Sequence, residues 1–252
     1  MIRVGLLGCG NVGRIIAKDR TGVEIAAIHD RIPERAEEAA KLCDAKVHRA
    51  FSTFVRADFD IVVEAASVAA VRDHAEEILS NGKDLVILSV GALADRAFLG
   101  RITALAREKG RRIHVPSGAI FGLDNLKVGQ ITPLRRLLLR TTKSPESLNI
   151  RAEKRMMIFS GKANDCIRQF PKNINVAVAL GLAAGREADV EIWIDPAVDR
   201  NIHEIIAEGD FGEVFIQVSN VPSPDNPATS YLAALSILTL LKNLDEPLVV
   251  GT

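Results

Sequence analysis

Three glycines set the strongest constraint on how this chain can fold. They follow the apolar run Ile2–Leu7 in the pattern Gly-x-Gly-x-x-Gly, and apolar residues recur at helical spacing after them. Gly8 permits a tight turn, Gly10 leaves space for a pyrophosphate, and Gly13 lets a helix pack closely on the strand. Since a strand precedes the glycines and a helix follows them, the pattern predicts a dinucleotide-binding turn, with phosphates at the helix N-terminus.

An acidic residue stands where such a turn needs one for the ribose. The second apolar run, Val23–His29, ends at Asp30, about 20 residues beyond the glycines. The Asp30 carboxylate can accept a hydrogen bond from a ribose 2′-hydroxyl, which favours NAD. The neighbouring Arg31 can instead hold the 2′-phosphate of NADP, so the sequence leaves the choice of cofactor open.

Apolar strands and amphipathic helices alternate through the first 118 residues, which predicts a Rossmann-type parallel sheet. Further strands are expected at 60–64, 85–90 and 112–115, with helices after Pro33 and at 68–79 and 95–109. The helix after Pro33 should pack through Ala36, Ala39, Ala40 and Leu42, and Asn81-Gly82 should end the 68–79 helix. The loops at the carboxyl ends of these strands should line the cofactor. The predicted dinucleotide contacts in this half are Gly8, Gly10, Asn11, Val12, Gly13, Asp30, Arg31 and Ala66.

The pattern changes beyond Gly122, where short turns join the predicted strands. Strands are expected at 134–142, 190–194, 202–207 and 214–218, and helices at 162–169 and 174–184. This predicts a separate α+β domain, residues 119–227, with an antiparallel or mixed sheet. One sheet face needs a partner, and we expect a homodimer.

A proline-rich segment, Pro222–Pro227, is expected to be an irregular hinge before the last helix, Thr229–Leu241. That helix is apolar almost all round and should pack on the first domain. The predicted nucleotide domain therefore comprises residues 1–118 and 228–252.

Composition excludes several classes of protein. The chain has 252 residues, 32 basic and 32 acidic residues and only 4% aromatics, which argues against nucleic-acid or membrane partners. The three cysteines, Cys9, Cys43 and Cys166, fit neither a disulfide framework nor a zinc site. Without a signal peptide or a membrane-spanning run, we expect a cytoplasmic protein that holds no metal.

His203 is the best candidate for a group that exchanges protons with a substrate. It lies among polar residues at the start of a predicted strand, and an imidazole is suited to taking a proton from an amine, alcohol or water. His48, His74 and His114 are expected to be surface or satisfied structural histidines, and His29 is expected near the adenosine end. Whether His203 itself is catalytic or structural stays open on this argument.

Two further polar groups are candidates for binding an anion. Phe170–Asn175 resembles a helix start with exposed donors, although an ordinary helix cap fits equally well. Thr141, Thr142 and Lys143 offer hydroxyls and a charge, although a solvated strand end has the same composition. Cys9 is better explained as a small buried side chain than as a nucleophile.

Several motifs together resemble the L-aspartate dehydrogenase family over essentially the whole chain. They are the glycine turn, Ser117-Gly-Ala-Ile, Phe170-Pro-Lys-Asn-Ile-Asn-Val, Asp195-Pro with Asn201-Ile-His-Glu-Ile, and Asn220-x-Pro-Ser with Asn226-Pro-x-Thr-Ser. The resemblance implies a Rossmann domain plus an α+β domain, usually dimeric. It also implies NAD(P)-dependent oxidative deamination of L-aspartate to iminoaspartate, which hydrolyses to oxaloacetate or feeds NAD synthesis.

The resemblance also assigns roles to single residues. His203 corresponds to the family's active-site histidine, and Ala119 and Asn173 correspond to residues that contact the cofactor. For the substrate carboxylates and nearby polar contacts, we expect Lys172, Thr142, Lys143 and Asn201.

Two alternatives remain. The first is another two-domain oxidoreductase, acting on a sugar, homoserine or dihydrodipicolinate. Against it, the segment Leu88–Ala92 lacks the Glu-Lys-Pro of the related sugar dehydrogenases, and the doubled histidine of dihydrodipicolinate reductases is missing. The second is a non-catalytic dinucleotide sensor, which would bind NADH without turnover.

Overall fold

The computed structural model describes residues 1–19, 22–170, 174–224 and 226–251. It divides into two compact units. The first unit comprises Met1–Pro116 and Ala233–Val249, and the second comprises residues 117–232 together with the C-terminal residues from Val250.

The first unit is built on a six-stranded parallel sheet. Its strands are β1 (Ile2–Leu7), β2 (Val23–His29), β3 (Lys46–Val47), β4 (Ile61–Glu64), β5 (Asp84–Ile87) and β6 (Ile113–His114). Its helices are α1 (Asn11–Lys18), α2 (Pro33–Cys43), α3 (Phe51–Phe54), α4 (Val68–Ser80) and α5 (Arg96–Lys109). The strand order is β3-β2-β1-β4-β5-β6, so the order reverses between β1 and β4. In such sheets ligands bind at that reversal, beyond the carboxyl ends of the strands.

The parallel sheet is buried because helices cover it, as its apolar strands require. In β4, Ile61, Val62 and Val63 are all at most 2% exposed. Residues of α1, α2 and the sheet share one hydrophobic cluster with Ala234, Ile237 and Leu241. The chain's last helix therefore belongs to the core of the first unit.

The second unit carries a five-stranded mixed sheet and a short hairpin. Its strands are β7 (Leu134–Lys143), β8 (Met156–Lys162), β9 (Asp189–Ile194), β10 (Ile202–Gly209), β11 (Gly212–Ser219), β12 (Pro222–Ser223) and β13 (Asn226–Ser230). Its helices are α6 (Leu123–Leu126), α7 (Ala163–Gln169) and α8 (Ile174–Ala184), and α9 (Tyr231–Asn243) begins at its end. The order is β11-β10-β7-β9-β8, with β7 and β9 parallel and the other neighbours antiparallel.

Side-chain alternation on β10 decides which residues enter the core of the second unit. His203, Ile205 and Ala207 point to the buried face, where residues of α7 and α8 complete a hydrophobic cluster. The opposite face carries the ion pairs between Arg140 and Glu191 and between neighbouring charged side chains. His203 is thus part of the core face rather than of the polar one.

The fold class predicted from the sequence is confirmed, and most helices and strands lie within a few residues of their predicted positions. The prediction of β5 was too long, because residues 90–94 form a 3₁₀-helix. Leu42 is 40% exposed, and Cys43 takes its place on the buried face of α2. At the end of α4, Gly82 has the left-handed conformation and Asn81 does not.

One prediction for the second half was wrong, and one strand was not predicted. The segment 222–227 is not wholly irregular, because β12 and β13 pair as a two-stranded sheet. The strand β8 was missed, since Met156 and Met157 of this edge strand are exposed and give no alternating pattern. Among the helices in the described ranges, none combines the length and the apolar character that crossing a bilayer requires.

Candidate active site

The glycine turn between β1 and α1 leaves no room for side chains. Gly8 has φ +97°, and a Cβ there would lie 2.6 Å from Ala66 Cβ. A Cβ on Gly13 would lie 2.1 Å from the Gly8 carbonyl oxygen, so α1 packs directly on the strand end. At Gly10, by contrast, no described atom lies within 4 Å of such a Cβ. Gly8 and Gly13 are required by packing, whereas Gly10 faces open space of the kind a pyrophosphate needs.

Asp30 ties this turn to the end of β2. Its Oδ2 accepts a hydrogen bond of 2.6 Å from the Cys9 backbone N–H, and its Oδ1 accepts one of 2.8 Å from that of Ile32. The carboxylate is therefore held at the strand end that a ribose would approach.

A cavity of about 450 Å³ opens at this edge of the sheet. Of the predicted dinucleotide contacts, five line it, namely Gly8, Gly10, Asp30, Arg31 and Ala66. Asn11, Val12 and Gly13 belong to the first turn of α1 and are not among the lining residues. The size lies within the range of small-molecule sites. Glycines, an acid and backbone donors fit a dinucleotide's phosphates and ribose.

Sequence reasoning missed other residues of the cavity wall. Arg35, Arg49, Phe51 and His74 also line it. The Phe51 and His74 rings stack, with centroids 3.8 Å apart. Only Arg35 had a signal in the sequence. It lies in the first turn of α2, which follows Asp30 closely and therefore starts at the same edge of the sheet.

The other histidines differ in part from expectation. His29 lines the cavity, and its Nδ1 lies 2.8 Å from the His48 carbonyl oxygen. His48 and His114 each have a buried Nε2 without a hydrogen-bond partner in the described part of the chain. The expectation of satisfied or surface histidines was therefore wrong for these two, and burial lowers both pKa values.

Cys9 has the environment of a structural thiol. It is fully buried in the glycine turn, and burial raises its pKa to about 12. Because the thiolate is the nucleophilic form, Cys9 is inert at neutral pH.

His203 lies in the second unit, on β10 opposite Thr141 of β7. Its side chain is 7% exposed, and its Nδ1 is 3.0 Å from Thr141 Oγ1. Burial, and after it the positive charge of Lys143, lowers the pKa of His203 to about 4. The imidazole is therefore neutral at physiological pH, with a nitrogen that can accept a proton.

The other predicted substrate residues are only partly brought together. Thr141 and Lys143 share the His203 face of β7, and burial lowers the Lys143 pKa. Thr142 is buried on the opposite face, so the idea of a solvated strand end was wrong. Asn201 precedes β10. Lys172 and Asn173 lie outside the described residues.

Asn220 is a buried polar residue that single-residue reasoning did not select. Its Nδ2 donates to the Ala119 carbonyl over 3.0 Å, and its backbone N–H donates to the Asn201 carbonyl over 2.9 Å. Ser230 Oγ donates to its Oδ1. Asn220 thus links two predicted site residues, and only its place in a family motif marked it. Within the described ranges, no three metal-ligating side chains form a group.

Comparison with known proteins gives matches to both halves of the chain. The family model described as "Aspartate dehydrogenase, C-terminal" matches residues 124–244, and that described as "Homoserine dehydrogenase, NAD binding domain" matches residues 4–116. The L-aspartate dehydrogenase of Methanospirillum hungatei is 60% identical over 252 residues, 100% of both chains. This chain belongs to the L-aspartate dehydrogenase family. The family predicted from the motifs is therefore confirmed.

Other members of the aspartate dehydrogenase family agree. The L-aspartate dehydrogenase of Archaeoglobus fulgidus is 43% identical over 249 residues, 98% of this chain and 99% of that one. The crystal structure of aspartate dehydrogenase from Thermotoga maritima has a TM-score of 0.86 at 30% identity and covers 100% of both chains. A biliverdin reductase from Synechocystis, with a TM-score of 0.57 at 14% identity, shares the fold alone.

The His203 environment predicts its titration in this aspartate dehydrogenase homologue. In the protein without ligand, the imidazole should titrate near pH 4 when followed by NMR. Replacing Lys143 with Met removes a positive charge that disfavours the imidazolium, so the midpoint should rise, by roughly one pH unit. Lys162→Met, which alters an exposed lysine paired with Asp189, should leave it unchanged. A midpoint near 6.5 in the parent protein would contradict the buried environment.

Proposed function

We propose that this chain is an NAD(P)-dependent L-aspartate dehydrogenase, which deaminates L-aspartate oxidatively and reversibly to iminoaspartate. Iminoaspartate then hydrolyses to oxaloacetate and ammonia. The observation that carries the proposal is the 60% identity, over the full length of both chains, to a relative named for this activity. The cavity at the glycine turn and the buried neutral imidazole supply the two parts that such chemistry needs.

A dinucleotide held at the glycine turn and Asp30 would supply the hydride acceptor for the substrate Cα–H. The residues of the chain bind and orient the dinucleotide and accept the proton that the substrate loses. Gly10 leaves space for the pyrophosphate, and Asp30 stands at the ribose end. Arg31, Arg35 and Arg49 supply charged groups in the same wall, and Phe51 and His74 supply aromatic rings.

His203 is the proton acceptor. An amine can expel a hydride only when its lone pair is free, so the ammonium form of the substrate must first lose a proton. In the tautomer whose Nδ1–H donates to Thr141 Oγ1, 3.0 Å away, the Nε2 lone pair of His203 is the base. The low pKa keeps this nitrogen unprotonated over the physiological range. The proton taken from the ammonium then passes to solvent, and in the hydrolysis step the freed nitrogen takes a proton from water as the water adds to the imine carbon.

Lys143 supplies positive charge for a substrate carboxylate. It shares the face of His203 and Thr141, and its burial makes an anionic partner favourable. A bound dicarboxylate would offset the ammonium charge and would raise the basicity of the nearby imidazole. Lys172 and Asn201 remain the further candidates for polar contacts, with Ala119 and Asn173 on the cofactor side.

The cofactor is NAD, with NADP as a second substrate of the same cavity. Asp30 supports recognition of an unmodified ribose. Arg31, Arg35 and Arg49 line the same cavity, and guanidinium groups are well suited to a phosphate. This combination supports acceptance of both dinucleotides.

The enzyme acts in the cytoplasm, where its iminoaspartate feeds pyridine nucleotide synthesis. Cys9, Cys43 and Cys166 are buried and none of them forms a disulfide, as in proteins of a reducing compartment. The neutral overall charge supports a small-molecule partner rather than nucleic acid or a membrane.

The enzyme is a homodimer that buries the polar face of the five-stranded sheet. Phe215 is 60% and Met157 47% exposed on that face, beside the ion pair of Arg136 and Glu208. Large exposed apolar side chains rimmed by charges are typical of interfaces.

The central test is turnover by a His203 variant. His203→Ala should lower kcat for L-aspartate oxidation by roughly 10²–10⁴-fold, because the proton acceptor is lost. The Kd for NADH should stay within about twofold, since the dinucleotide is held by other residues. NADH formation is followed by absorbance, with homoserine as the control substrate. Oxidation of homoserine but not aspartate by the parent protein would refute the assignment.

The arginines in the cavity wall should make binding of NADPH depend on a positive charge that binding of NADH does not need. Arg35→Ala should weaken NADPH binding about tenfold, through loss of a charge-assisted contact, with little change for NADH. Arg107→Ala, on the exposed end of α5, is the matched control. Equal losses for NADPH and NADH would show that Arg35 does not read the 2′-phosphate.

The dimer interface is tested by charge insertion. Phe215→Glu should convert the dimer to a monomer in sedimentation equilibrium, because a buried unpaired carboxylate is costly. Leu42→Glu, at an exposed site on α2, should leave the mass unchanged. A dimeric Phe215→Glu protein would place the interface elsewhere.

A further inference from the structure

The side chain of Glu64 is the one charged group in the described part of the chain that is completely buried. It ends β4, a strand whose other residues are aliphatic, and its exposure is 0%. Its backbone pairs with Leu7 of β1 and Ile87 of β5, which places it at the centre of the parallel sheet. The proposed proton chemistry does not use it.

The Glu64 carboxylate joins two loops at the carboxyl edge of the sheet. Oε1 accepts hydrogen bonds from the Ala66 backbone N–H and the Ser89 hydroxyl, both over 2.8 Å. Oε2 accepts one of 2.9 Å from the Ser89 backbone N–H. The loop after β4 and the loop after β5 are thereby fixed to one rigid group.

Burying the Glu64 carboxylate has a free-energy cost that its hydrogen bonds must offset. Removing a carboxylate from water costs several kcal/mol, and no Lys, Arg or His of the described residues forms an ion pair with Glu64. Burial raises its pKa, while the donors of Ser89 and Ala66 act in the opposite direction. An aliphatic residue would pack in the strand without that cost, but it would leave the donors of Ala66 and Ser89 without this partner.

The held loop also supports the glycine turn. Gly8 packs against Ala66, and Gly13 at the start of α1 packs against the Gly8 carbonyl oxygen. Ala66 and Ser67 line the same cavity as Gly10, and Ser67 Oγ caps α4 by accepting from the Ala70 N–H over 3.1 Å. A displacement of Ala66 would thus move the cavity wall and the turn together.

We infer that Glu64 is a positioning residue for the dinucleotide, which holds the 65–67 and 88–89 loops in the shape that binds it. The inference rests on the proposed function and goes beyond it. Glu64 acts through Ala66 and Ser89 and does not itself touch the cofactor. Affinity for the dinucleotide should depend on this carboxylate even in a fully folded protein.

The test is direct binding of NADH by Glu64→Gln, measured by fluorescence titration well below the melting temperature. Glutamine has the same shape, but its amide N–H₂ must face either the Ser89 or the Ala66 N–H. We expect Kd to rise at least tenfold, and hydrogen exchange of these two amides to accelerate. Ser89→Ala removes one bond and keeps the carboxylate, so Kd should rise about threefold. Glu77→Gln, on the surface of α4, is the matched control.

The possible outcomes distinguish a failure of this inference from a failure of the proposed function. A lower Tm with unchanged Kd in both variants would make Glu64 merely structural and would overturn the inference, while the parent protein still binds NADH. Should Glu64→Gln fail to fold, Ser89→Ala decides, and an unchanged Kd there counts against the inference. A parent protein that does not bind NADH would overturn the proposed function and this inference with it.

Discussion

The structure depends on one backbone contact, the packing of Gly13 against the carbonyl oxygen of Gly8. A methyl group at position 13 would fall 2.1 Å from that oxygen, so the start of α1 can approach the end of β1 only because Gly13 lacks a side chain. The contact sets the direction of α1 and opens the space in front of Gly10. Asp30 and Ala66 are fitted around it from the neighbouring strands. The cavity lies beside this contact, and its residues follow four neighbouring strands of the sheet, β3, β2, β1 and β4.

In the second unit, the surroundings of His203 keep its imidazole neutral. His203 is placed on the core face of a sheet, held at Nδ1 by Thr141 and close to a buried lysine. Burial lowers the pKa of His203, so at neutral pH the ring is in its unprotonated form throughout, although it is a weaker base than a solvent-exposed histidine. Burial therefore has a chemical purpose here beyond packing. The same low dielectric makes Lys143 receptive to an anion.

Local patterns were sufficient for the first unit. The glycines, the acid at position 30 and the run Val23–His29 each carry their signal within a few residues, and β2 has the predicted bounds. The second unit depends on pairing between distant strands, which a single sequence does not reveal. Thr141 as the partner of His203, the parallel pairing of β7 with β9, and the edge strand β8 all follow from register. Glu64 was overlooked for a related reason, because the sequence around a single acidic residue at a strand end does not indicate that the residue is buried.

The first unit takes its core from both ends of the chain. Val4 and Leu6 share a hydrophobic cluster with Ala234, Ile237 and Leu241, more than 220 residues later in the sequence. During synthesis the parallel sheet therefore emerges long before the helix that covers part of it. Its apolar surface stays uncovered while the whole second unit is translated, a period in which aggregation competes with folding. The hydrophobic core of the first unit is therefore completed only when the C-terminal helix has been synthesised.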